Sequence, residues 1–594
     1  MPTGRAGEKM INLLLQLQEQ KLLRDIDIYF ARNLADTFGA PEGALLFALV
    51  FNVTEGGNTC LNMAEPEKIS FYKSFNKEIN NAFSENVIAG LITKGALCEA
   101  PAISAPFIKA GSSIYMKSFY SDENSVGIYI KNRVSAPYIM TPETEKLIDK
   151  YFPENNMQKA AAINTAMNSF SVISGGPGTG KTSTVFNLLA VLAEMSSEPV
   201  KIAVCAPTGK AAARLTESIS EKREEYKHEA FIDQIPEKAL TIHRLLGMAG
   251  DSRVPRFNKE NKLPYDVVVA DEASMIDVRN MAKLTEALSD DCRLILLGDK
   301  DQLASVQPGA VMGDICSAAP VDEFSTDRAE ILSKYTTGTI KAGKSPYADV
   351  TIMLDKSYRY DSNAGIGLLA AAAGRGDHKT ALEVLLNDTT KKVEFLELDN
   401  NFETAAGGYV LRHFESYSRE QDQNLAIEAF NKFRILTPHR QMNGGTAHIN
   451  TIAQQTLFRA GHTDNTKHFY HGMPVMVVEN DYSLNIFNGE TGLILGNSEL
   501  KSCFAHDKDK IRHITPARLP AHVPAYSMTV HKSQGSEFDH VLFILPDSDS
   551  AILTRELFYT AVTRAKTKLT VISTKDAVRK CLSAKIERSS GLFI

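Results

Sequence analysis

Residues 175–182 read GGPGTGKT, the spacing Gly-x-x-x-x-Gly-Lys-Thr. That spacing makes an anion cradle. Gly175, Gly176, Gly178 and Gly180, with Pro177 and Thr179 between them, let backbone N–H groups close around phosphate oxygens. The helical run TSTVFNLLAVLAEM that follows adds positive potential at its N-terminus. Lys181 can reach the outer phosphates of a nucleoside triphosphate, the Thr182 hydroxyl can ligate magnesium, and Ser183 completes the binding run. A second cluster follows in PYDVVVADEASMID, residues 264–277. Its apolar residues lead into two acids: Asp271 to hold the magnesium, directly or through water, and Glu272 to polarise an attacking water. Hydrolysis also needs a cation for the charge that develops as the phosphate leaves. Arg359, in LDKSYRY, and Arg564, in FYTAVTRAK, are the candidates. Taken singly, either arginine reads as a surface ion pair; the motifs around them give the pair its weight. The chemistry expected is magnesium-dependent ATP hydrolysis. No Asn-Lys-x-Asp guanine motif occurs, which argues against a GTP switch.

These residues need elements to position them. Short β-branched runs FSVIS, KIAVCAP, DVVVADE and RLILLGD alternate with helical stretches from about residue 152. Apolar strands between helices imply a parallel sheet covered on both faces. A second series, FRILTP, HVLFIL and LTVIST, implies a second such lobe. The expected class is α/β, with a first lobe over 146–350 and a second over 351–594. Residues 1–145 carry no nucleotide motif and read as an α-rich domain, mixed near 112–132, that ends at the proline-bearing junction APYIMTPETEKL. Residues 462–515 change style, and Asn488-Gly489 is a hairpin turn signal, so a β insertion is expected inside the second lobe. Arg359 and Arg564 then enter an interlobe site from the far side, tying nucleotide state to lobe closure.

The chain has 594 residues, too many for one hydrophobic core, so about three or four domains are expected. Its 43% apolar and 23% charged residues are ordinary for a globular protein. The longest apolar run, Ala44 to Phe51, is far short of a membrane span. The first twenty residues lack a small-residue cleavage site, so no signal peptide is read there. Seven cysteines lie singly, which fits a reducing cytoplasm and argues against zinc or iron–sulfur ligation. The net charge of -6 does not advertise nucleic acid. Seven basic residues between Arg564 and Lys585 form a local stripe that reads equally as a phosphate-binding face or a solvated helix face.

In order and spacing these motifs resemble the superfamily 1 helicases. Gln158, in NNMQKAAA, matches the family's adenine-reading glutamine. APTGKAAARL (206–215) and TIHRLLG (241–247) match its DNA-contacting segments. GDKDQLASVQPG (298–309) matches its coupling motif, where Gln302 senses the γ-phosphate. SYR (357–359), HKSQGSEFD (531–539) and YTAVTRA (559–565) complete the set. Within the superfamily the chain resembles the RecD group, alpha subunits of bacterial exodeoxyribonuclease V. GMPVMVVENDYSLNIFNGETG resembles that group's SH3-like β insertion. DIYFARNLADTFG, LFALVFNVTEGGNTCLNM and IYMKSFYSDENSVGIYI resemble its N-terminal domain. The resemblance covers essentially the whole chain, except that 322–349 does not align and is expected to be a surface loop.

The resemblance implies two RecA-like P-loop lobes and ATP-driven 5′-to-3′ movement on single-stranded DNA fed from duplex ends. It implies DNA grips at Thr208 and His243 in the first lobe and at Thr529, His531 and Lys532 in the second. Such grips favour backbone and stacking contacts, because a motor accepts any sequence. It further implies a duplex-splitting pin hairpin near 247–263, where a plain loop also fits the residues. The expected partners are a RecB-like beta subunit, which carries the nuclease, and a RecC-like gamma subunit, on which residues 1–145 dock. No nuclease constellation is read in this chain. The expected setting is the bacterial cytoplasm, at the nucleoid. A stand-alone RecD-like helicase is the alternative; its relatives carry helix–hairpin–helix repeats, and none is read here. A non-enzymatic subunit with a dead ATP site finds no support in the motifs.

Overall fold

The computed structural model describes residues 5–593, except 135–139, 249–253, 320–321, 362, 400, 464–466, 482, 497–498 and 507–509. The first domain packs helices around a four-stranded sheet of order β1-β4-β3-β2: β1 Cys60–Asn62, β2 Leu97–Glu99, β3 Phe107–Ala110 and β4 Ser113–Met116. The apolar run starting at Ala44 is its central helix, Ala44–Glu55, buried from Ala44 through Val50. No described helix is long and apolar enough to cross a membrane.

The first lobe is a six-stranded parallel sheet: β5 Phe170–Gly175, β6 Ile202–Ala206, β7 Leu240–Thr241, β8 Val267–Ala270, β9 Arg293–Gly298 and, after a short pair β10 Glu323–Phe324 and β11 Lys341–Ala342, β12 Thr351–Leu354. Its order is β12-β5-β9-β8-β6-β7. Strands β5, β6, β8 and β9 are buried at every residue, as parallel strands with both faces covered must be.

The second lobe holds β13 Val393–Glu397, β14 Phe433–Thr437, β20 Ser527–Thr529, β21 Phe538–Ile544 and β22 Ala565–Ser573. They form a parallel sheet of order β13-β22-β21-β14-β20. Between β14 and β20 the chain builds an antiparallel sheet from β15 Met473–Val477, β16 Thr491–Leu495, β17 Lys501–His506, β18 Lys510–Ile514 and β19 His522–Pro524.

Several boundaries differ from those expected. Strand β12 pairs with β5, so the first lobe runs to Leu354 rather than ending at 350. Strand β19 pairs with β15, so the insertion extends past 515. The described parts of the pin segment, residues 247–248 and 254–263, contain no strand, and residues 249–253 lie outside the described set. Residues 322–349 are not a surface loop. They include β10, the helix Thr326–Leu332 and β11, and Phe324 of β10 and Leu332 of the helix are completely buried in the first lobe's core. The helix's Arg328 is buried and donates to Asn164 Oδ1 at 2.8 Å and to Asn168 Oδ1 at 3.3 Å.

The basic stripe is largely paired off. Arg564 is buried, Lys568 bridges Glu394 at 2.9 Å, Arg579 bridges Asp576 at 2.6 Å and Lys580 lies between Asp547 and Asp549. After the helix Lys575–Ser583 the chain stays on the second lobe as far as Ile586, whose N–H donates to Glu556 at 3.1 Å, and then leaves it. Arg588 Nη2 donates to Ser305 O at 2.6 Å in the first lobe. Thr59 N–H donates to Ser589 O, while Ser590 Oγ and Gly591 N–H donate to Glu123 at 2.8 and 3.0 Å. Leu592 joins the core beside Tyr115 and Phe119, and the Phe593 ring meets Tyr347 edge-on at 4.6 Å. This strap ties the second lobe to the first lobe and to the first domain.

Candidate active site

Strand β5 delivers the chain into the loop 175–180. Gly178 and Gly180 have φ of +78° and +79°, where side chains are strained. Space excludes a side chain as well. A Cβ on Gly178 would lie 2.5 Å from Arg359 Cβ, and one on Gly180 would lie 2.5 Å from Gln158 Nε2. The glycines therefore admit Arg359 and Gln158 close against the loop. Thr179 Oγ1 donates to Gly176 O at 2.8 Å and stiffens the turn. The helix Lys181–Met195 starts directly after Gly180. Lys181 Nζ donates to Gly175 O at 2.5 Å and Gly176 O at 3.1 Å, so its ammonium sits at the mouth of the loop.

The two acids follow from the next strand pair. Asp271 N–H donates to Cys205 O at 2.9 Å, extending the β6–β8 ladder by one residue past Ala270. Glu272 then turns into the left-handed region, φ 52° and ψ 41°, and its N–H donates to Asp271 Oδ1 at 2.8 Å. Non-glycine residues rarely hold that conformation, and it concentrates at functional sites. Burial, and next the adjacent Glu272, push the Asp271 carboxyl above the ordinary carboxylate range.

The second lobe completes the cleft. One cavity of about 220 Å³ is lined by Gly178 through Ser183, Asp271, Glu272 and Gln302, and by Arg359, Glu537 and Arg564. Arg564 is buried and held by its Nε on Thr560 O and its Nη1 on Ser536 O, both at 3.1 Å. Arg359 follows β12, the last strand of the first lobe, so it enters from the phosphate-loop side rather than from the far lobe as expected. Its neighbours fix its backbone against the loop: Tyr358 N–H donates to Gly178 O at 2.8 Å and Ser357 Oγ to Pro177 O at 3.3 Å. Gln302 Nε2 donates to Asp299 Oδ2 at 3.1 Å, and Tyr559 from the second lobe donates to the same oxygen at 2.9 Å. Leu303 N–H donates to Thr560 Oγ1 at 3.0 Å, and Gln534 Nε2 to Leu303 O at 3.0 Å. The coupling segment is thus bonded across the interlobe boundary. Gln302 Oε1 and Arg359 Nη1 are buried without a partner. Unpartnered donors and acceptors around a glycine-lined cavity that holds both cations and carboxylates fit a polyanion bearing a metal ion.

A second cavity, about 360 Å³, adjoins the first at Thr179 and is lined by Met157, Gln158, Thr336, Gly338, Lys356 and Tyr358. Asn156 caps the helix Met157–Ala166 by accepting from Gln158 and Lys159 N–H, which places Gln158 on the first turn. Gln158 Nε2 donates to Thr179 O at 3.2 Å. Tyr358 is 56% exposed beside it, with Lys356 Nζ 5.0 Å over its ring. The sequence gives no sign of Thr336 and Gly338 here, because they belong to the segment read as a loop. Tyr358, Arg214 and Glu537 lie inside quoted motifs yet carry no expected role; their only signal is adjacency to motif residues.

The candidate DNA grips take local structural roles. Thr208 Oγ1 accepts from Ala211 N–H at 3.2 Å and caps the helix Gly209–Glu225. His243 is exposed on the short helix Ile242–Leu245. Thr529 Oγ1 accepts from Lys532 N–H at 3.4 Å, His531 is partly buried, and burial and then Arg588 push its imidazole pKa down. Lys532 Nζ donates to Asn488 Oδ1 at 2.7 Å. The insertion's loop reaches both sets. Phe487 packs where a Gly209 Cβ would lie, 3.0 Å away, and the Arg244 guanidinium sits 4.7 Å over its ring.

Comparison with known proteins agrees with this layout. Residues 158–308 match the AAA domain family, 524–572 the UvrD-like helicase C-terminal domain, and 19–115 the N-terminal domain of RecBCD enzyme subunit RecD. RecBCD enzyme subunit RecD of Haemophilus influenzae is 34% identical over 98% of this chain and 99% of its own. That of Mycobacterium tuberculosis is 36% identical over 95% and 93%. The ATP-dependent RecD2 DNA helicase of Deinococcus radiodurans is 31% identical over 66% of this chain and 46% of its own. Among solved structures, Bacteroides Pif1 helicase in complex with ADP-AlF3 and ssDNA aligns at 16% identity and a TM-score of 0.35 over 76% of this chain and 95% of its own, a likeness too loose to carry detail.

Proposed function

The chain belongs to the RecD family of RecBCD enzyme subunits, and from that premise we propose that it moves 5′ to 3′ along single-stranded DNA as one motor of a three-subunit helicase–nuclease. It is an ATP-dependent DNA helicase subunit of recombinational repair. The observation behind the finer reading is the shared cavity, where Lys181, Asp271 and Glu272 of the first lobe face Arg564 of the second. Lys181 and the loop N–H groups bind the phosphates; Gln158 and Tyr358 bind the base. Thr182 and Asp271 would hold magnesium, which supplies charge neutralisation at the phosphate oxygens. Glu272 orients water and takes its proton. Arg359 and Arg564 meet the charge that develops on the leaving phosphate, a role whose removal costs about 10³-fold or more in rate. Gln302, through Asp299 and Tyr559, passes the phosphate state to the second lobe.

Thr208 and His243 on one lobe, and Thr529, His531 and Lys532 on the other, grip DNA alternately as the cleft closes and opens. The antiparallel insertion is read as an SH3-like module. The motif acids all serve the nucleotide cleft, so cutting is assigned to a RecB-like beta subunit. The first domain docks on a RecC-like gamma subunit, and the assembly works on duplex ends in the cytoplasm. The match of residues 19–115 to the RecD N-terminal domain favours the subunit over a stand-alone helicase, as does the near-complete coverage of the RecD subunits against 46% of RecD2.

Strand-displacement assays on forked DNA test the direction. A fork with only a 5′ tail should be unwound and one with only a 3′ tail should not; the reverse removes the polarity and leaves the helicase. Lys181→Gln should abolish DNA-stimulated ATPase while the chain still folds, and wild-type turnover in that variant would refute the phosphate-loop assignment. Failure to co-purify with RecB-like and RecC-like subunits would sink the three-subunit reading.

A further inference from the structure

Glu537 has no part in the chemistry above, yet it lies within the cleft. It precedes β21 in the second lobe and meets two arginines. Arg214, from the first-lobe helix Gly209–Glu225, places Nη2 2.6 Å from Glu537 Oε1. Arg359, from the crossing between the lobes, places Nη2 2.6 Å from Glu537 Oε2. Each carboxylate oxygen is committed to a different arginine. The Glu537 side chain is 9% exposed and that of Arg359 20%, so their contact is screened less than a surface pair. Burial would push the carboxyl up, but Arg214 and then Arg359 hold it down at about 2. It is therefore charged at every working pH.

Arg359 is only half engaged. A guanidinium fits two anionic oxygens side by side, yet Nη1 is buried without a partner. Its backbone is pinned to the phosphate loop through Tyr358 and Ser357. Only the side chain has to turn to reach a phosphate.

We propose that Glu537 is a positioning residue that holds Arg359 back until the terminal phosphate of a nucleoside triphosphate competes for it. This rests on the reading of Arg359 as the arginine that meets that phosphate. A triphosphate draws Arg359 off the carboxylate, and Glu537 keeps Arg214, so the lobes remain joined through one ion pair while the other is exchanged. A diphosphate offers no competing oxygens at that position, and Arg359 stays on Glu537. The carboxylate thus makes the cleft discriminate between the two nucleotides by the strength of a contact that must be broken.

The test is equilibrium titration of the full chain, with magnesium, using a fluorescent slowly hydrolysed ATP analogue and fluorescent ADP. Glu537→Gln keeps the shape and removes the charge. It should tighten the triphosphate analogue about tenfold, the scale of one partly buried charge-assisted contact, and leave ADP within about twofold. In an Arg359→Ala background the same substitution should leave the analogue's affinity unchanged. Glu537→Asp, with its shorter reach, should shift the triphosphate in the same direction by a smaller factor, and it carries the test should the Gln variant fold poorly. Equal changes for both nucleotides would overturn the proposal, pointing to direct contact with the common part of the nucleotide or to a structural role. Tightening that persists without Arg359 would overturn it too. If the wild-type chain binds neither nucleotide, the reading of the cleft fails and the proposal with it.

Discussion

Two arginines share the Glu537 carboxylate, and that sharing has a thermodynamic signature. The group is held at about 2, against an ordinary 4.5. A carboxyl held below its ordinary value stabilises the fold in full above that ordinary value, and the contribution is lost as pH falls toward the folded one. The melting temperature of wild type should therefore exceed that of Glu537→Gln by a constant margin from about pH 8 to about pH 5, and the margin should shrink below about pH 4. A margin that changes near neutral pH would mean that another group carries it. At this scale the sequence was readable where chemistry is contiguous: the loop 175–182 and the pair Asp271–Glu272 are local spellings of local geometry. It was opaque where one residue acquires its role from a distant one. Arg359 and Glu537 meet across 178 residues, and nothing in either motif announces the other.

Thr208 shows how an element can claim a residue that function also wants. Its hydroxyl accepts from Ala211 N–H at 3.2 Å and starts the helix that carries Arg214 into the cleft. Thr208→Ala should cost about 1 kcal/mol of stability as a lost cap, and Thr208→Ser should restore it. Chemical denaturation measures this directly, and DNA affinity is then compared at equal folded fraction. An Ala variant as stable as wild type would show that the hydroxyl does not hold the helix. Strands buried on both faces were legible as apolar runs, and β5, β6, β8, β9, β14, β21 and β22 all lie where those runs stand. The helix Thr326–Leu332 was not, because its buried face includes an arginine. Arg328 is tolerated inside because Asn164 and Asn168 accept its donors, a satisfaction that composition cannot reveal. The same blind spot hid the wall of the base cavity at Thr336 and Gly338.

At the scale of the molecule, two lobes were foreseeable from two series of strands, and the strap at residues 588–593 was not. Glu123 is 4% exposed and accepts from Thr59 Oγ1 at 2.5 Å, Ser590 Oγ at 2.8 Å and Gly591 N–H at 3.0 Å. Truncation after Glu587 removes two of these three donors and leaves a buried carboxylate under-satisfied. It should destabilise the first domain by roughly 3 kcal/mol, the scale of a buried charge losing hydrogen bonds, with hydrogen exchange rising first around Thr59 and Glu123. Unchanged exchange there would show that the strap merely rests on the surface. The strap also sets an order of assembly. Glu123 and Ser590 are 467 residues apart. At about 5–20 residues per second of synthesis, the first domain waits roughly 25 to 90 seconds for the segment that completes it. The first domain thus leaves the ribosome well before the segment that completes its buried seat. A product of translation arrested before residue 588 would expose the unfilled seat of Leu592 and an uncovered Glu123.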